Sequence, residues 1–281
     1  MAAQATSDRP FSLVLVGADG SERAGEAVRQ ASLLSTAVHA QLIVAHVIED
    51  RPYEEGQPER ILEAAGHAAR SAGADPETRF LTGEPAEAMV KEAERDGIDL
   101  LCVGPDSGLL HGAIRFGRVA SRILREARCS MLIARPAPDP FPRQIACAID
   151  GSEASVHTAL AAAGVAIATG ALLRLVHVVP VFRGHDEEWT LGADEESPEE
   201  LTASVTAVSS LGLTPIREMA MGRPEHTLVR VAERDEVDLV VVGHRGISGM
   251  TRMLLGSVSE HVAHHARCSV FVVRPSGTIR G

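Results

Sequence analysis

The stretch VDLVVVGHRGISGMTRMLLGSVSEHVAHHARCSVFVVRP, residues 237–275, decides the fold. It begins and ends with short apolar runs, at 237–242 and 269–273, that are rich in Val. Runs of this length and composition are typical of strands that are buried on both faces of a parallel sheet. Between them lie a glycine-containing loop and a helical segment that opens at Gly256-Ser257. The stretch therefore predicts a strand–helix–strand unit, the element from which α/β folds are built.

The chain carries this pattern twice. The residues AERDEVDLVVVG at 232–243 repeat AERDGIDLLCVG at 93–104, with 8 of 12 positions identical and an offset of 139. Nearer the start of each half the offset is 131, and it pairs Asp19-Gly20-Ser21-Glu22 with Asp150-Gly151-Ser152-Glu153. Self-similarity of this kind indicates a tandem of two homologous units.

The two offsets differ, so the second half must contain an insertion. We place it in the acidic stretch 184–200, which we expect to be a solvated loop. The segment Pro136-Ala137-Pro138-Asp139-Pro140-Phe141-Pro142 is interpreted as a stiff linker. The predicted domains are 1–138 and 139–281.

Each half alternates between strand-length apolar runs and longer helical segments. Strands are predicted at 12–18, 41–48, 78–82, 98–103 and 130–134, and again at 144–149, 172–179, 215–220, 237–242 and 269–273. Helices are predicted near 21–38, 57–72, 85–96 and 116–128, and the second half repeats them. The fold class is α/β, with two tandem, doubly wound, Rossmann-like parallel sheets of five strands each.

Composition excludes several classes of function. The 281 residues carry a formal charge of −11 and are 3% aromatic, so the chain lacks the basic surface and stacking side chains of a nucleic-acid-binding protein. Lys91 is the only lysine, and no GxxxxGK[ST] motif occurs, which excludes a P-loop. The GxGxxG spacing of dinucleotide-binding folds is also missing after the first strand.

Membrane and secretion signals are not expected either. The longest uncharged stretch, 156–173, is rich in Ala and is interrupted by His157, so we interpret it as a buried helix that runs into a strand. The start of the sequence resembles no secretory signal, and the four cysteines form no CxxC pair. We therefore expect a cytoplasmic protein with buried, reduced thiols and no membrane partner.

A ligand site is predicted beyond the carboxyl ends of the strands. After the fourth strand of the second half, Gly243 and Gly246 allow a loop to turn its N–H groups toward an anion. Gly256-Ser257 then opens a helix, whose N-terminus favours phosphate. Asp150, after the first strand of that half, can accept a hydrogen bond from a ribose hydroxyl or an adenine amine.

With Asp-Gly-Ser after the first strand and G-x2-G-x9-G-S after the fourth, the sequence resembles the universal stress protein family. The resemblance covers both halves. It implies the layered fold of the adenine nucleotide alpha hydrolases and a site for ATP or another adenine nucleotide, with Mg²⁺ as a candidate companion. It also implies a role in stress response or signalling without strong catalysis, and dimer-like pairing through the last strands, either inside the chain or in a homodimer. The nucleotide-binding residues that it implies are Asp150, Val178, Gly243, Arg245, Gly246, Gly256, Ser257 and Val258.

The first half departs from the family pattern. Gly104 and Gly117 match Gly243 and Gly256, but Ser107 replaces Gly246 and Arg118 replaces Ser257. Loss of the second glycine restricts the backbone of the loop. We therefore predict a weakened site, and the second half is predicted to bind nucleotide. The residues of the weakened site are Asp19, Val47, Gly104, Gly117 and Arg118.

Simpler roles remain open for these residues. The glycines can serve turns, and Asp19, Asp150 and Ser257 can cap helices. His261, His264, His265 and Cys268 invite a metal site, but histidines at a helix C-terminus also complement its dipole, so we predict no metal. His46 and His177 are expected to be hydrogen-bonded core residues.

Two other functions also remain open. One is a slow ATP hydrolase or nucleotidyl-handling enzyme, for which His244 is the candidate base. The other is a dimerisation scaffold that binds no ligand.

Overall fold

The computed structural model describes residues 9–105, 109–110, 113–114, 117–180, 190–191, 199–234, 237–244 and 255–275. The chain divides into two compact units, one built on residues 11–136 and the other on residues 137–275. Within the described ranges, no helix has both the length and the apolar character that crossing a bilayer requires.

The first unit is a parallel sheet with helices between its strands. Its strands are β1 (Leu13–Gly17), β2 (Gln41–Ile48), β3 (Glu77–Thr82), β4 (Leu100–Val103), β5 (Leu109–Leu110), β6 (Ala113–Ile114) and β7 (Ser130–Ile133). Its helices are α1 (Glu22–Val38), α2 (Gln57–Ser71), α3 (Pro85–Asp96) and α4 (Arg118–Glu126). The sheet order is β3-β2-β1-β4-β7, and all its pairs are parallel.

The second unit repeats this plan. Its strands are β8 (Gln144–Ile149), β9 (Leu172–Pro180), β10 (Thr190–Leu191), β11 (Ile216–Gly222), β12 (Leu239–Gly243) and β13 (Ser269–Val273). Its helices are α5 (Glu153–Thr169), α6 (Glu199–Ser210), α7 (Pro224–Arg234) and α8 (Ser257–His265). The strands β11, β9, β8, β12 and β13 are parallel and lie side by side in that order. The predicted doubly wound α/β fold is confirmed.

Three short strands were not predicted. β5 and β6 form an antiparallel pair between β4 and α4. β10 pairs antiparallel with β11, so the second sheet has a sixth strand. β10 lies inside the acidic stretch 184–200, which was expected to be a loop; residues 184–189 and 192–198 of that stretch lie outside the described ranges.

Burial explains the apolar runs. Val14, Leu15 and Val16 of β1 are fully buried, as expected for a strand with helices on both faces of its sheet. The uncharged stretch 156–173 forms most of α5 and the start of β9, as predicted. The side chains of Ala159, Ala162 and Ala163 on α5 are fully buried, since Ala lets a helix approach the sheet closely.

An aspartate anchors the first strand of each sheet, half-buried in the first unit and buried in the second. The Asp99 side chain accepts hydrogen bonds from the Ser12 and Leu13 N–H groups at 2.8 and 3.0 Å. Asp238, one repeat later, accepts from the Arg143 and Gln144 N–H groups at 2.9 and 3.1 Å. Each aspartate precedes the fourth parallel strand of its unit, so it fixes that strand next to the first.

Candidate functional site

A cavity of about 520 Å³ lies at the carboxyl ends of β8, β9 and β12. β8 separates β9 from β12, so the chain changes direction along the sheet at this point, where ligands of doubly wound folds bind. The predicted residues that line the cavity are Asp150, Val178, Gly243, Gly256, Ser257 and Val258. Arg245 and Gly246 lie outside the described residues.

Asp150 is the carboxylate of this cavity. Its Oδ1 accepts from the Ser152 N–H at 3.0 Å and from the Ser152 hydroxyl at 2.6 Å. Ser152 in turn caps α5, because its hydroxyl oxygen accepts from the Ser155 N–H at 3.2 Å. Asp150 therefore does not cap the helix itself. It is oriented at the cavity wall by the turn that starts α5.

The N-terminus of α8 forms the opposite wall. Gly256 is the N-cap residue and makes no side-chain cap, and its N–H donates to the His244 carbonyl at 2.8 Å. The Ser259 hydroxyl donates to the Gly243 carbonyl, which ties the first turn of α8 to the end of β12. A helix N-terminus that faces a cavity offers N–H donors and a positive dipole end to an anion.

The first unit has a much smaller cavity, of about 180 Å³, at the equivalent place. Asp19, Val47 and Gly104 line it. Gly117 and Arg118 are not among its lining residues, and their contribution to a first-half site stays a prediction. Arg118 is the first residue of α4 and its side chain is exposed, whereas Val119 and Ala120 form the wall there.

The smaller cavity is lined in part by charged residues. Glu49 and Arg51 line it and form an ion pair at 2.6 Å. The Arg51 guanidinium also lies 4.3 Å from the centre of the Tyr53 ring. At the position of Glu49 the second unit has Pro180, which carries no charge into its cavity.

Gly104 has a packing reason to be glycine. A Cβ atom at this position would lie 2.6 Å from the Arg23 carbonyl oxygen, closer than two such atoms approach. The end of β4 therefore sits directly against the start of α1, and a side chain at residue 104 would push the two apart. Close packing of the backbone is therefore enough to explain why residue 104 is glycine, without a ligand.

Three hydroxyl residues of the larger cavity were missed. Ser155, Thr158 and Ser259 line it, and the first unit has Ala24, Ala27 and Ala120 at the same repeat positions. The sequence did contain a sign of them: where the first copy has alanine on helices that pack on the sheet, the second copy has a hydroxyl residue. Only the fold shows that the three converge on one space.

Two of the other polar candidates also reach the cavities, since His177 lines the larger one and His46 the smaller one. The His46 Nδ1 lies 2.7 Å from the Ala18 carbonyl oxygen, and the His177 Nδ1 lies 3.1 Å from the Ile149 carbonyl oxygen. Both histidines are therefore hydrogen-bonded, as predicted.

The remaining candidates are His244, the cysteines and the possible metal ligands. The His244 side chain does not line the larger cavity. Burial raises the pKa of the Cys102 and Cys147 thiols, and both side chains lie in the core. Among the described residues, no three His, Cys, Asp or Glu side chains are arranged to hold a metal ion.

Comparison with known proteins matches both halves. The model of the Universal stress protein family matches residues 10–135 and again residues 142–274. A universal stress protein of Methanocaldococcus jannaschii is 34% identical over 139 residues, which cover 47% of this chain and 82% of that protein. One of Mycobacterium bovis is 27% identical over 300 residues, covering 94% of this chain and 97% of the relative.

Other matches are partial or structural. A universal stress protein of Synechocystis is 48% identical over 56 residues, and the match spans about half of that relative, 52%. The crystal structure of a universal stress protein from Archaeoglobus fulgidus matches with a TM-score of 0.73 at 19% identity, over 93% of this chain and 98% of that one. At that identity the structural match supports the fold alone.

Proposed function

Because this chain belongs to the universal stress protein family, as a tandem of two such domains, we propose that its second domain binds an adenine nucleotide in the 520 Å³ cavity. The nucleotide would change the conformation or assembly of the protein in a stress response. The observation that carries the proposal is the convergence of the Asp150 carboxylate and the α8 N-terminus on one cavity.

Size and chemistry suit a nucleotide. Small-molecule pockets commonly enclose about 300–1,000 Å³, a range that includes the larger cavity and excludes the smaller one of 180 Å³. Val178 is largely buried and offers an apolar wall and backbone groups to a base. Asp150 can accept from ribose hydroxyls, while the N–H groups after Gly256 can donate to phosphate.

The anion is held by the backbone in this proposal. The 27 Lys and Arg residues are outnumbered by 38 Asp and Glu residues, so Arg245 is the one side-chain cation that we predict at the phosphate. Helix N–H groups and the macrodipole supply the rest of the attraction. Mg²⁺ fits only in part, because among the described residues Asp150 is the one carboxylate that lines the cavity, so the phosphate oxygens and water would complete its coordination.

The test is a calorimetric titration of ATP, ADP and AMP into the full chain, together with one charge change in each unit. Ser257 and Arg118 are exposed and occupy the same repeat position at the start of α8 and α4. Glu is favourable at a helix start, so Ser257→Glu should fold normally while it repels phosphate. We expect one site per chain, at least tenfold weaker binding for Ser257→Glu, and binding within twofold of wild type for Arg118→Glu.

Two results would reject the proposal. Equal loss of affinity in both variants would place the ligand elsewhere, and no heat with any adenine nucleotide would favour the ligand-free scaffold. An ATP turnover assay on wild type and His244→Ala tests the hydrolase alternative. Because the His244 side chain does not line the cavity, we expect no turnover that depends on this residue.

A further inference from the structure

The contact between the third and fourth helices differs in chemistry between the two units. In the first unit, Arg122 of α4 holds this contact. Its guanidinium pairs with Glu84 at 2.6 Å, with Glu87 at 3.8 Å and with Glu126 at 2.9 Å. Arginine and glutamate keep their charges throughout the neutral and mildly acidic range, so this contact does not respond to pH there.

The second unit places three histidines at the same positions. His261 of α8 replaces Arg122, His226 of α7 replaces Glu87, and His265 replaces Glu126. The His261 ring lies 4.6 Å from the His226 ring, edge to face, and 4.0 Å from the His265 ring, stacked. An ion-pair cluster has therefore become a cluster of imidazoles, which we call the histidine cluster.

The surroundings of His261, the central ring of the histidine cluster, favour its neutral form. His261 is half-buried between the two exposed histidines. Burial lowers its pKa most, the neighbouring His265 and His226 lower it further, and Arg223 adds to this, while Glu225 opposes them. Glu225 is itself paired with Arg223 at 2.8 Å. The His265 Nδ1 lies 2.8 Å from the His261 carbonyl oxygen and donates to it, which holds the two rings together.

The helices that carry the histidine cluster also wall the larger cavity. His226 lies on α7 between Pro224 and Leu228, both of which line the cavity. His261 follows Ser259, the last cavity residue of α8, by two positions. Any change in the distance between α7 and α8 at the histidine cluster therefore changes the width of the cavity.

We propose that the histidine cluster is a proton-sensitive contact that sets the affinity of the larger cavity for its ligand. At neutral pH the edge-to-face contact between the His226 and His261 rings joins α7 to α8. Histidine is the side chain that gains charge in mildly acidic solution, and like charges at the 4.6 Å contact of His226 and His261 push the two helices apart. The ligand part of this inference rests on the nucleotide site proposed above.

The first unit supplies the control variant. The triple variant His226→Glu, His261→Arg, His265→Glu restores the residues of the first unit at the three histidine positions, and Arg223 remains where the first unit has Glu84. His67→Gln, at an exposed position on α2, removes one histidine elsewhere. ATP affinity is measured by calorimetry at pH 7.5 and 5.5 for wild type and both variants. The terminal phosphate of ATP also titrates at about pH 6, but its effect on affinity is the same for all three proteins.

We expect the wild type and His67→Gln to lose at least tenfold in affinity on acidification and the triple variant to lose less than threefold. An equal loss in all three proteins would overturn the inference. Where the triple variant folds poorly, His261→Gln replaces it, because this change removes the central titrating ring and adds no charge.

A second measurement does not need the ligand. Hydrogen-exchange protection factors, corrected for the intrinsic effect of pH, are compared between pH 7.5 and 5.5 for the two helix pairs. Protection of α7 and α8 should fall, while that of α3 and α4 should stay constant. Equal changes in both pairs would reject the proton-sensitive contact. If ATP does not bind at pH 7.5, the proposed function fails, and this exchange measurement still decides the inference.

Discussion

Gly104 and Gly25 differ in the space that a side chain would find. A Cβ at Gly104 would meet the Arg23 carbonyl oxygen at 2.6 Å and its carbon at 2.8 Å, whereas one at Gly25, on α1, meets nothing within 4 Å. Gly104→Ala should therefore lower the free energy of unfolding by about 2 kcal/mol. Gly25→Ala should raise it by up to about 1 kcal/mol, since glycine weakens a helix. Urea denaturation of both variants checks the pair.

The two glycine variants also test why the repeat keeps this residue. If Gly104→Ala unfolds at the same urea concentration as wild type, the close approach of β4 to α1 is not a constraint. In that case the glycine would serve the loop alone.

Asp238 is the most informative carboxylate outside the cavity. Only 5% of it is exposed, and it accepts from two backbone N–H groups at the start of β8. Asp238→Ala leaves these donors without the carboxylate and should cost about 3 kcal/mol, whereas Asp238→Asn keeps one acceptor and should cost about half of that. Thermal denaturation measures both. Asp75→Ala, at an exposed position before β3, is the control and should shift stability by less than about 0.5 kcal/mol. A similar cost for Asp75→Ala and Asp238→Ala would contradict the anchoring role.

At the scale of elements, an ion-pair network joins β3 to α3. The Arg79 guanidinium of β3 contacts Glu92 and Asp96 of α3 and pairs with Glu77 at 2.5 Å. Hydrogen bonds from Arg95 and then Arg79 lower the pKa of Asp96 from 3.8 to about 2. The depressed pKa means that the folded protein holds the Asp96 proton less tightly than the unfolded chain does.

This shift predicts the direction of an acid effect. The stabilisation from Asp96 is complete above pH 4 or so and is lost as the pH falls toward the folded-state value of about 2. Asp96→Asn should cost about 1 kcal/mol at pH 7 and progressively less on acidification. Melting temperatures of wild type and Asp96→Asn between pH 7 and 3 should therefore converge. Parallel curves would show that Asp96 does not contribute through its charge.

Most elements were predictable because burial imposes a pattern on them. β2, α3, β8 and β13 have the predicted bounds, since buried parallel strands read as continuous apolar runs and helices begin at cap residues. β5, β6 and β10 have two residues each, too few to show periodicity. Their pairing depends on the strand beside them, as β10 depends on β11, and no local signal predicts it.

At the scale of the whole molecule, the repeat predicted more than either half alone. Aligning the copies predicted which half has the weaker site, whereas the strand ends indicated that Asp150 and Gly243 face a shared space. The two cavity volumes, 520 and 180 Å³, could not be predicted this way. The volume of a cavity depends on which side chains enter it. At the smaller cavity these include Glu49 and Arg51, which follow β2 and belong to no motif, so the sequence did not indicate that they line it.

Unequal cavities predict unequal protection by ligand. A ligand at a hundred times its Kd stabilises the domain that binds it by about 2.7 kcal/mol. With ATP at that excess and pH 7.5, hydrogen-exchange mass spectrometry should show slower exchange in β8, β9, β12 and the first turn of α8. The equivalent elements β1, β2, β4 and α4 should exchange at unchanged rates, because their cavity is about 180 Å³ and is lined by an acidic residue paired with arginine. Ser257→Glu serves as the control and should remove the protection without changing exchange in the absence of ATP. Equal protection of both sets of strands would mean that the smaller cavity opens to admit nucleotide. The prediction that only the second domain binds nucleotide would then be wrong.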